Sequence, residues 1–209
     1  MAERPELPYE KAIEESAKTA GKALDVVSSM SPAIANAYNL LIGDRISAAR
    51  ERNLDAITRK TQKILEERNV RESAPIPEQI GVQLLEEAQG ETREAIQDLY
   101  AALLANAMDT KFASDVRPEF IQTVKQLQPI DVLILKEIVL RHMEPSSRVF
   151  GSNHIYEVLK GYRPSAIEIS LEHLRKLGCL GSHSQGMVMS HFGMEFMIAC
   201  DPHSAGCSQ

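Results

Sequence analysis

Apolar residues recur at intervals of three and four along most of this chain, and that spacing is typical of one face of an α-helix. Proline, glycine and serine interrupt the pattern and divide it into nine predicted helices. These helices are residues 9–30, 32–68, 78–89, 91–108, 117–127, 130–142, 153–160, 165–177 and 191–200. Two strand-like runs, 179–183 and 187–190, flank a Ser-Gln-Gly turn and predict one β-hairpin.

The order of these elements predicts two parts. We expect a helical domain over residues 9–128, which includes the long helix 32–68, and a second domain over residues 129–200. In the second part a helix, a helix, a turn, a helix and a hairpin follow one another as in a winged helix. We expect a disordered tail over residues 201–209. The predicted fold class is mainly α: an elongated N-terminal helical bundle with a C-terminal winged-helix-like domain that carries a small hairpin.

The long predicted helix has more apolar surface than one small domain can bury. Unbroken, residues 32–68 would extend about 55 Å. Either part of this helix packs on a second copy of the chain, or the helix breaks near Gly43. We predict the first, a homo-oligomer that packs through this helix. The predicted oligomer face consists of apolar residues at helical spacing: Ile34, Tyr38, Leu41, Ile46, Leu54 and Ile57.

The helical pair 153–160 and 165–177 has a predicted inner and outer face. The apolar positions expected to point inward are Ile155, Val158, Leu159, Ile167, Leu171 and Leu174. In a DNA-binding helix-turn-helix the second helix lies in the major groove, so its outward residues would meet the DNA. Those outward positions are predicted to be Ser165, Glu168, Ser170 and Glu172. Two of the four are acidic, which favours a protein-interaction or structural role over DNA binding.

The charge of the chain also favours a protein-interaction or structural role over DNA binding. The formal net charge is −6. From Pro129 onward the chain has seven Lys/Arg and eight Asp/Glu, so that part carries −1 and the residues before it carry −5. Neither part is basic, although nucleic-acid binding usually needs several phosphate contacts from cations. DNA binding remains an alternative. The cations that could serve DNA or an unknown protein partner are Lys160, Arg163, Arg175 and Lys176.

The chain lacks the sequence signals of export and membrane insertion. Its first residues, MAERPELPYEK, are polar and charged, so we expect no signal peptide. The longest weakly apolar stretch, 20–43, contains Lys22 and Asp25, whereas a spanning helix needs about 20 mostly apolar residues. We therefore expect a cytoplasmic protein without a membrane partner. A membrane-disrupting effector that uses residues 20–42 is a further alternative, although the cationic flank typical of such helices is missing.

The sequence predicts no catalytic residue, no cofactor and no metal site, and hence no enzyme. Cys179-x3-His183 and Cys200-x2-His203-x3-Cys207 have loosely ligand-like spacings, but no Cys-x2-Cys pair occurs. Adjacent acids such as Glu66-Glu67 diverge by about 100° on a helix. No phosphate loop, dinucleotide fingerprint or nucleophile elbow is present.

Four runs of sequence, in this order, resemble the abortive infection alpha (Abi-alpha) family. They are LIGDRISAARERNLDAITRKTQKILEERN (41–69), LYAALLANAMD (99–109), RPEFIQTVKQLQPIDVLIL (117–135) and HFGMEFMIAC (191–200). The most specific pieces are Gly43-Asp44-Arg45 with the following Arg50-x-Arg52-Asn53, and Leu104-x-Asn106-Ala107-Met108.

The resemblance covers roughly residues 10–200. It implies a bacterial protein with a role in anti-phage defence, in which an infected cell stops growing or dies. It carries no catalytic residues over to this chain. We therefore predict a cytoplasmic defence protein of the abortive infection type that acts through protein–protein contacts. The alternatives are a winged-helix DNA-binding regulator and the membrane-disrupting effector.

Overall fold

The computed structural model describes residues 48–70, 76–142 and 149–201, and this part of the chain is mainly helical with one short antiparallel hairpin. The predicted mainly α class with a small hairpin is confirmed. The described helices are α1 (Ala48–Glu67), α2 (Glu78–Ala88), α3 (Glu94–Met108), α4 (Pro118–Gln126), α5 (Pro129–His142), α6 (Ser152–Val158), α7 (Pro164–Lys176) and α8 (His191–Ala199), with a 3₁₀ turn at Ala113–Asp115. The strands are β1 (Leu180–His183) and β2 (Gly186–Met189).

Helix α3 is the central helix of the described fold. Twelve of its fifteen residues are buried, because its sequence is apolar or small on every side. Helix α1 runs parallel to it: the Lys60 ammonium lies 2.5 Å from Asp98, and Arg68, two turns further on, bonds to Asn106. The small side chain of Ala101 lets the two helices approach until the Thr61 hydroxyl donates to its carbonyl oxygen at 3.3 Å.

The end of α1 was predicted correctly and the start of α3 was not, and the local structure explains both results. Helix α1 stops as predicted near residue 68, since Asn69 adopts a left-handed φ of 55° and Val70 N–H bonds back to Leu65. Helix α3 begins three residues later than predicted. The carboxylate of Glu91 accepts the backbone N–H and the side chain of Arg93, and this local structure holds the segment outside the helix.

The C-terminal elements follow the predicted order. Gly178 ends α7 with a φ of +76°, and the hairpin pairs Leu180 with Met189. Phe150 bridges to Met187 and so extends the hairpin by one backbone pair. The mainly helical architecture with its terminal hairpin is established, while the closer likeness to a winged helix stays a prediction.

Helix α8 connects the two halves of the chain. Its Phe192 and Phe196 rings lie 5.5 and 5.8 Å from the ring of Phe120 on α4, in edge-on contacts. Helix α8 also packs on α3 and α5, so one apolar core continues across the predicted boundary at residues 128–129. Glycine is needed at position 193, because a Cβ there would lie 2.1 Å from the carbonyl oxygen of Cys179.

Candidate interaction surface

Helix α7 buries one face and presents the other to solvent. Ile167, Leu171 and Leu174 are buried as predicted, with at most 1% of each side chain exposed. At 100° per residue, the position opposite these three is 169. Ile169 occupies it and is 71% exposed, the highest value among the large apolar residues of the described part.

Further exposed apolar residues lie where α6 turns into α7. Val158 ends α6 and is 46% exposed, and Tyr162 in the turn is 43% exposed. Lys160 and Arg163 are exposed in the same turn. We call Val158, Lys160, Tyr162, Arg163 and Ile169 the α6–α7 surface. It comprises three exposed apolar side chains and two exposed cations at the end of α6, in the connecting turn and in the first two turns of α7.

Two predicted orientations in this region were wrong. Ser170 was expected to face outward but is only 4% exposed, because it lies on the same side of α7 as Leu171 and Leu174. Val158 was expected to face inward, yet Ile155 and Leu159 fill the inner face of the short helix α6.

Ile169 was missed by the sequence reasoning. The signal was available, since the spacing of the three buried apolar residues of α7 places position 169 on the opposite side. Single exposed apolar residues are common, so Ile169 becomes informative only together with the exposed Val158 and Tyr162 of the same helical pair.

The four predicted cations do not form one cluster. Lys160 and Arg163 lie at the N-terminal end of α7, and no ion pair of either is found among the described residues. Arg175 and Lys176 lie about 18 Å further along the helix. There they approach Glu172 at 2.9 and 3.9 Å. Only Lys160 and Arg163 therefore add positive charge to the α6–α7 surface.

Histidine–carboxylate contacts hold the helical pair on α5. His173 Nδ1 lies 2.9 Å from Oδ2 of the fully buried Asp131, and His154 Nε2 lies 2.9 Å from Glu137. The same Asp131 oxygen accepts the backbone N–H of Gln128 at the start of α5. These contacts fix the orientation of both helices, and hence which residues they expose.

The predicted oligomer face is only partly within the described residues. Ile34, Tyr38, Leu41 and Ile46 lie outside them. Leu54 and Ile57 are 0% and 1% exposed, because they pack in the core of their own chain beside α3. In this fold those two side chains have no free surface for a second copy.

Two of the cysteines with ligand-like spacing are packed in the core, whereas His203 and Cys207 lie outside the described residues. Cys179 and Cys200 are buried free thiols, and burial raises the pKa of Cys179 to about 12, so its reactive thiolate form is disfavoured at neutral pH. His183 is exposed on the hairpin. Within residues 48–70, 76–142 and 149–201, no three His, Cys, Asp or Glu side chains converge where they could hold a metal ion.

A buried polar cluster joins three of the runs that carry the family resemblance. Arg68 is the penultimate residue of the first run, and its guanidinium donates to Asn106 Oδ1 at 2.6 Å and to the carbonyl oxygen of Asp201 at 3.0 Å. Asn106 in turn donates to the carbonyl oxygen of Ala199 at 2.6 Å. Asp109 lies 3.7 Å from Arg68, which also stacks over the ring of Phe112. These contacts fix the end of α8 against α1 and α3.

Fold and surface together define a mainly helical protein with a buried polar cluster and an exposed apolar surface on its C-terminal helical pair. The chain belongs to the abortive infection alpha family, whose model matches residues 49–200. The resemblance seen in the sequence is thereby confirmed. The chain matches no curated protein and no solved structure. Among the described residues, no helix has both the length and the apolar composition that crossing a membrane requires.

Proposed function

We propose that this chain is a cytoplasmic anti-phage defence protein of the abortive infection type, and that it acts by binding another protein through the α6–α7 surface. Family membership supports the defence role. The observation that carries the binding site is the exposure of Ile169 on the outer face of α7. Ile169 is 71% exposed, and Val158 and Tyr162 of the same helical pair are also exposed. Exposed apolar residues that form one patch are typical of a protein-binding surface.

The charges around Ile169 favour a protein over DNA as the partner. Glu168 and Glu172 flank it on the exposed face of α7, and carboxylates there would oppose the phosphates of a duplex. Arg175 and Lys176 are engaged with Glu172. Our proposal therefore includes no nucleic-acid contact and no catalytic step. Self-association through residues 34–46 remains part of the proposal as a way to present several copies of the surface.

Phage challenge of bacteria that express the chain tests this proposal. We expect Ile169→Glu to reduce protection at least tenfold, measured as plaque number relative to the wild-type chain. Leu140→Glu is the matched control, because Leu140 on α5 is 68% exposed but lies outside the α6–α7 surface. Circular dichroism and thermal melting of both variants check that they fold. Equal protection by the two folded variants would show that this surface is not the binding site.

Duplex DNA binding is tested separately. The purified chain is passed over immobilised DNA at low salt, together with the variant Lys160→Glu/Arg163→Glu. We expect no salt-dependent retention of either protein. Retention that the two substitutions abolish would instead support the DNA-binding alternative.

A further inference from the structure

His173 lies beside the exposed apolar residue of α7 and is held there by a buried carboxylate. It follows Ile169 by four residues, so the two side chains are neighbours on the helix, with their Cβ atoms about 6 Å apart. The side chain of His173 is 31% exposed, whereas that of Asp131, its partner on α5, is fully buried. The α6–α7 surface therefore adjoins a histidine whose orientation is fixed from the core.

The contact with Asp131 determines which ring nitrogen of His173 can act outward. An ionised carboxylate only accepts hydrogen bonds, so Nδ1 of His173, 2.9 Å from Asp131 Oδ2, carries the proton. In the neutral imidazole the other nitrogen, Nε2, is then an acceptor. Nε2 has no hydrogen-bond partner among the described residues, and the buried unpaired atoms of this part of the chain do not include it, so it reaches solvent. Lys176, one turn further along α7, approaches Glu172 instead.

Asp131 is costly for the fold to bury. Its Oδ2 accepts the backbone N–H of Gln128 at 2.7 Å and faces His173, while its Oδ1 is buried without a hydrogen bond in the described part of the chain. Burial of a carboxylate is unfavourable unless its oxygens are fully paired. A solvent-exposed side chain could cap the start of α5 equally well. Holding His173 is the role that requires a carboxylate at this buried position.

We propose that the protein partner of the α6–α7 surface donates a hydrogen bond to His173 Nε2 while one of its apolar groups covers Ile169. This proposal rests on the proposed function, since it names the chemistry of the partner at the same surface. Glu168 and Glu172 are exposed on α7 next to these two residues, so a neutral or cationic donor fits there and an anion does not. Asp131 acts through His173 as a positioning residue, because it holds the acceptor nitrogen toward the partner.

Long-range ¹H–¹⁵N correlation spectra of the full chain test where the imidazole proton lies. At mildly alkaline pH we expect Nδ1 of His173 to be protonated and Nε2 to be unprotonated. The signals are assigned from those that disappear in His173→Asn. A proton found on Nε2 would overturn the proposal, because that nitrogen would then donate a hydrogen bond and not accept one.

Two substitutions separate the outward role of His173 from its contact with Asp131. Asparagine places its amide where Nδ1 lies and keeps that contact, whereas glutamine places its amide where Nε2 lies and keeps an outward acceptor. We expect His173→Asn to fold like the wild-type chain but to reduce protection against phage about tenfold, as the loss of one hydrogen bond predicts. His173→Gln should melt at a lower temperature yet protect better than His173→Asn. His183→Asn, which replaces an exposed histidine on the hairpin, is the control and should protect fully.

The outcomes separate this proposal from the proposed function. If Ile169→Glu loses protection but a folded His173→Asn variant protects fully, the hydrogen bond to His173 is overturned and the proposed function stands. Equal losses in folded His173→Asn and His173→Gln variants would also contradict the hydrogen bond, because glutamine retains an acceptor. If Ile169→Glu protects fully, the proposed function itself fails, whatever the histidine variants do.

Discussion

Arg68 and Asn106 meet in a 2.6 Å hydrogen bond in which the guanidinium donates to the amide oxygen, although 38 positions separate them in the sequence. The amide nitrogen of Asn106 in turn donates a hydrogen bond to the carbonyl oxygen of Ala199, at the end of α8. Two side chains thereby tie together α1, α3 and the last described helix. Because both side chains are buried, replacing either one should lower the free energy of unfolding by a measurable amount.

Replacing Arg68 with methionine should destabilise the fold by about 3–5 kcal/mol, because it leaves the buried Asp109 carboxylate and Asn106 amide without their cationic partner. Urea unfolding followed by circular dichroism measures the change. Arg59→Met is the control, since Arg59 pairs with Asp55 on the surface of α1 and its loss should cost less than about 1 kcal/mol. Similar losses for the two variants would contradict a stabilising role of the buried cluster.

Position 193 should tolerate no side chain. In Gly193→Ala the new Cβ would lie 2.1 Å from the carbonyl oxygen of Cys179, so α8 or the backbone at 179 must move. We expect a loss of about 1–3 kcal/mol or more in the free energy of unfolding. Gly161→Ala is the matched substitution, because its Cβ would have no neighbour within 4 Å. Unchanged stability of Gly193→Ala would mean that α8 does not pack closely against the backbone at Cys179.

Truncating a side chain to alanine should destabilise the fold on the buried face of α7 but have little effect on its exposed face. Leu171→Ala removes a side chain that is fully buried and should cost about 2–5 kcal/mol. Ile169→Ala, two residues earlier, removes an exposed side chain and should change stability by less than about 0.5 kcal/mol. Thermal melting of the two variants measures the contrast. A large loss for Ile169→Ala would place that residue in a core and remove it from the α6–α7 surface.

Glu91 should contribute to the acid sensitivity of the fold. Burial alone would raise its pKa, but hydrogen bonds from the Arg93 side chain and backbone outweigh burial and hold the pKa of Glu91 below its ordinary value. The stabilisation is therefore complete above the pKa of the unfolded chain, near 4.5, and is lost as the pH falls through the lower folded value.

The variant Glu91→Gln tests this pH dependence. Its deficit in unfolding free energy relative to the wild-type chain should be full at pH 7. The deficit should begin to shrink near pH ~4.5, where Glu91 of the unfolded chain takes up a proton, and continue to shrink as the pH falls through the lower pKa of the folded state. Urea unfolding between pH 7 and pH 3 provides the measurement. Glu94→Gln controls for general charge effects, because Glu94 is 88% exposed. A deficit that stays constant over this range would contradict the role of the ionised carboxylate.

Local patterns in the sequence determined much of this protein. Helical spacing, Pro118 and Pro129 at helix starts, and Gly178 at a helix end were sufficient to place the described helices and the hairpin within a few residues. They suffice because capping and amphipathic spacing act between residues a few positions apart. The family was also recognisable from contiguous runs of sequence.

Only the tertiary structure decided which polar residues are buried and which apolar ones are not. Arg68 and Asn106 look like ordinary helix residues in the sequence, and their partnership depends on the parallel packing of α1 on α3. The exposure of Val158 and the burial of Ser170 likewise depend on how α6 and α7 are turned on α5. Contacts between distant parts of a chain depend on the orientation of whole helices, which local spacing limits but does not fix.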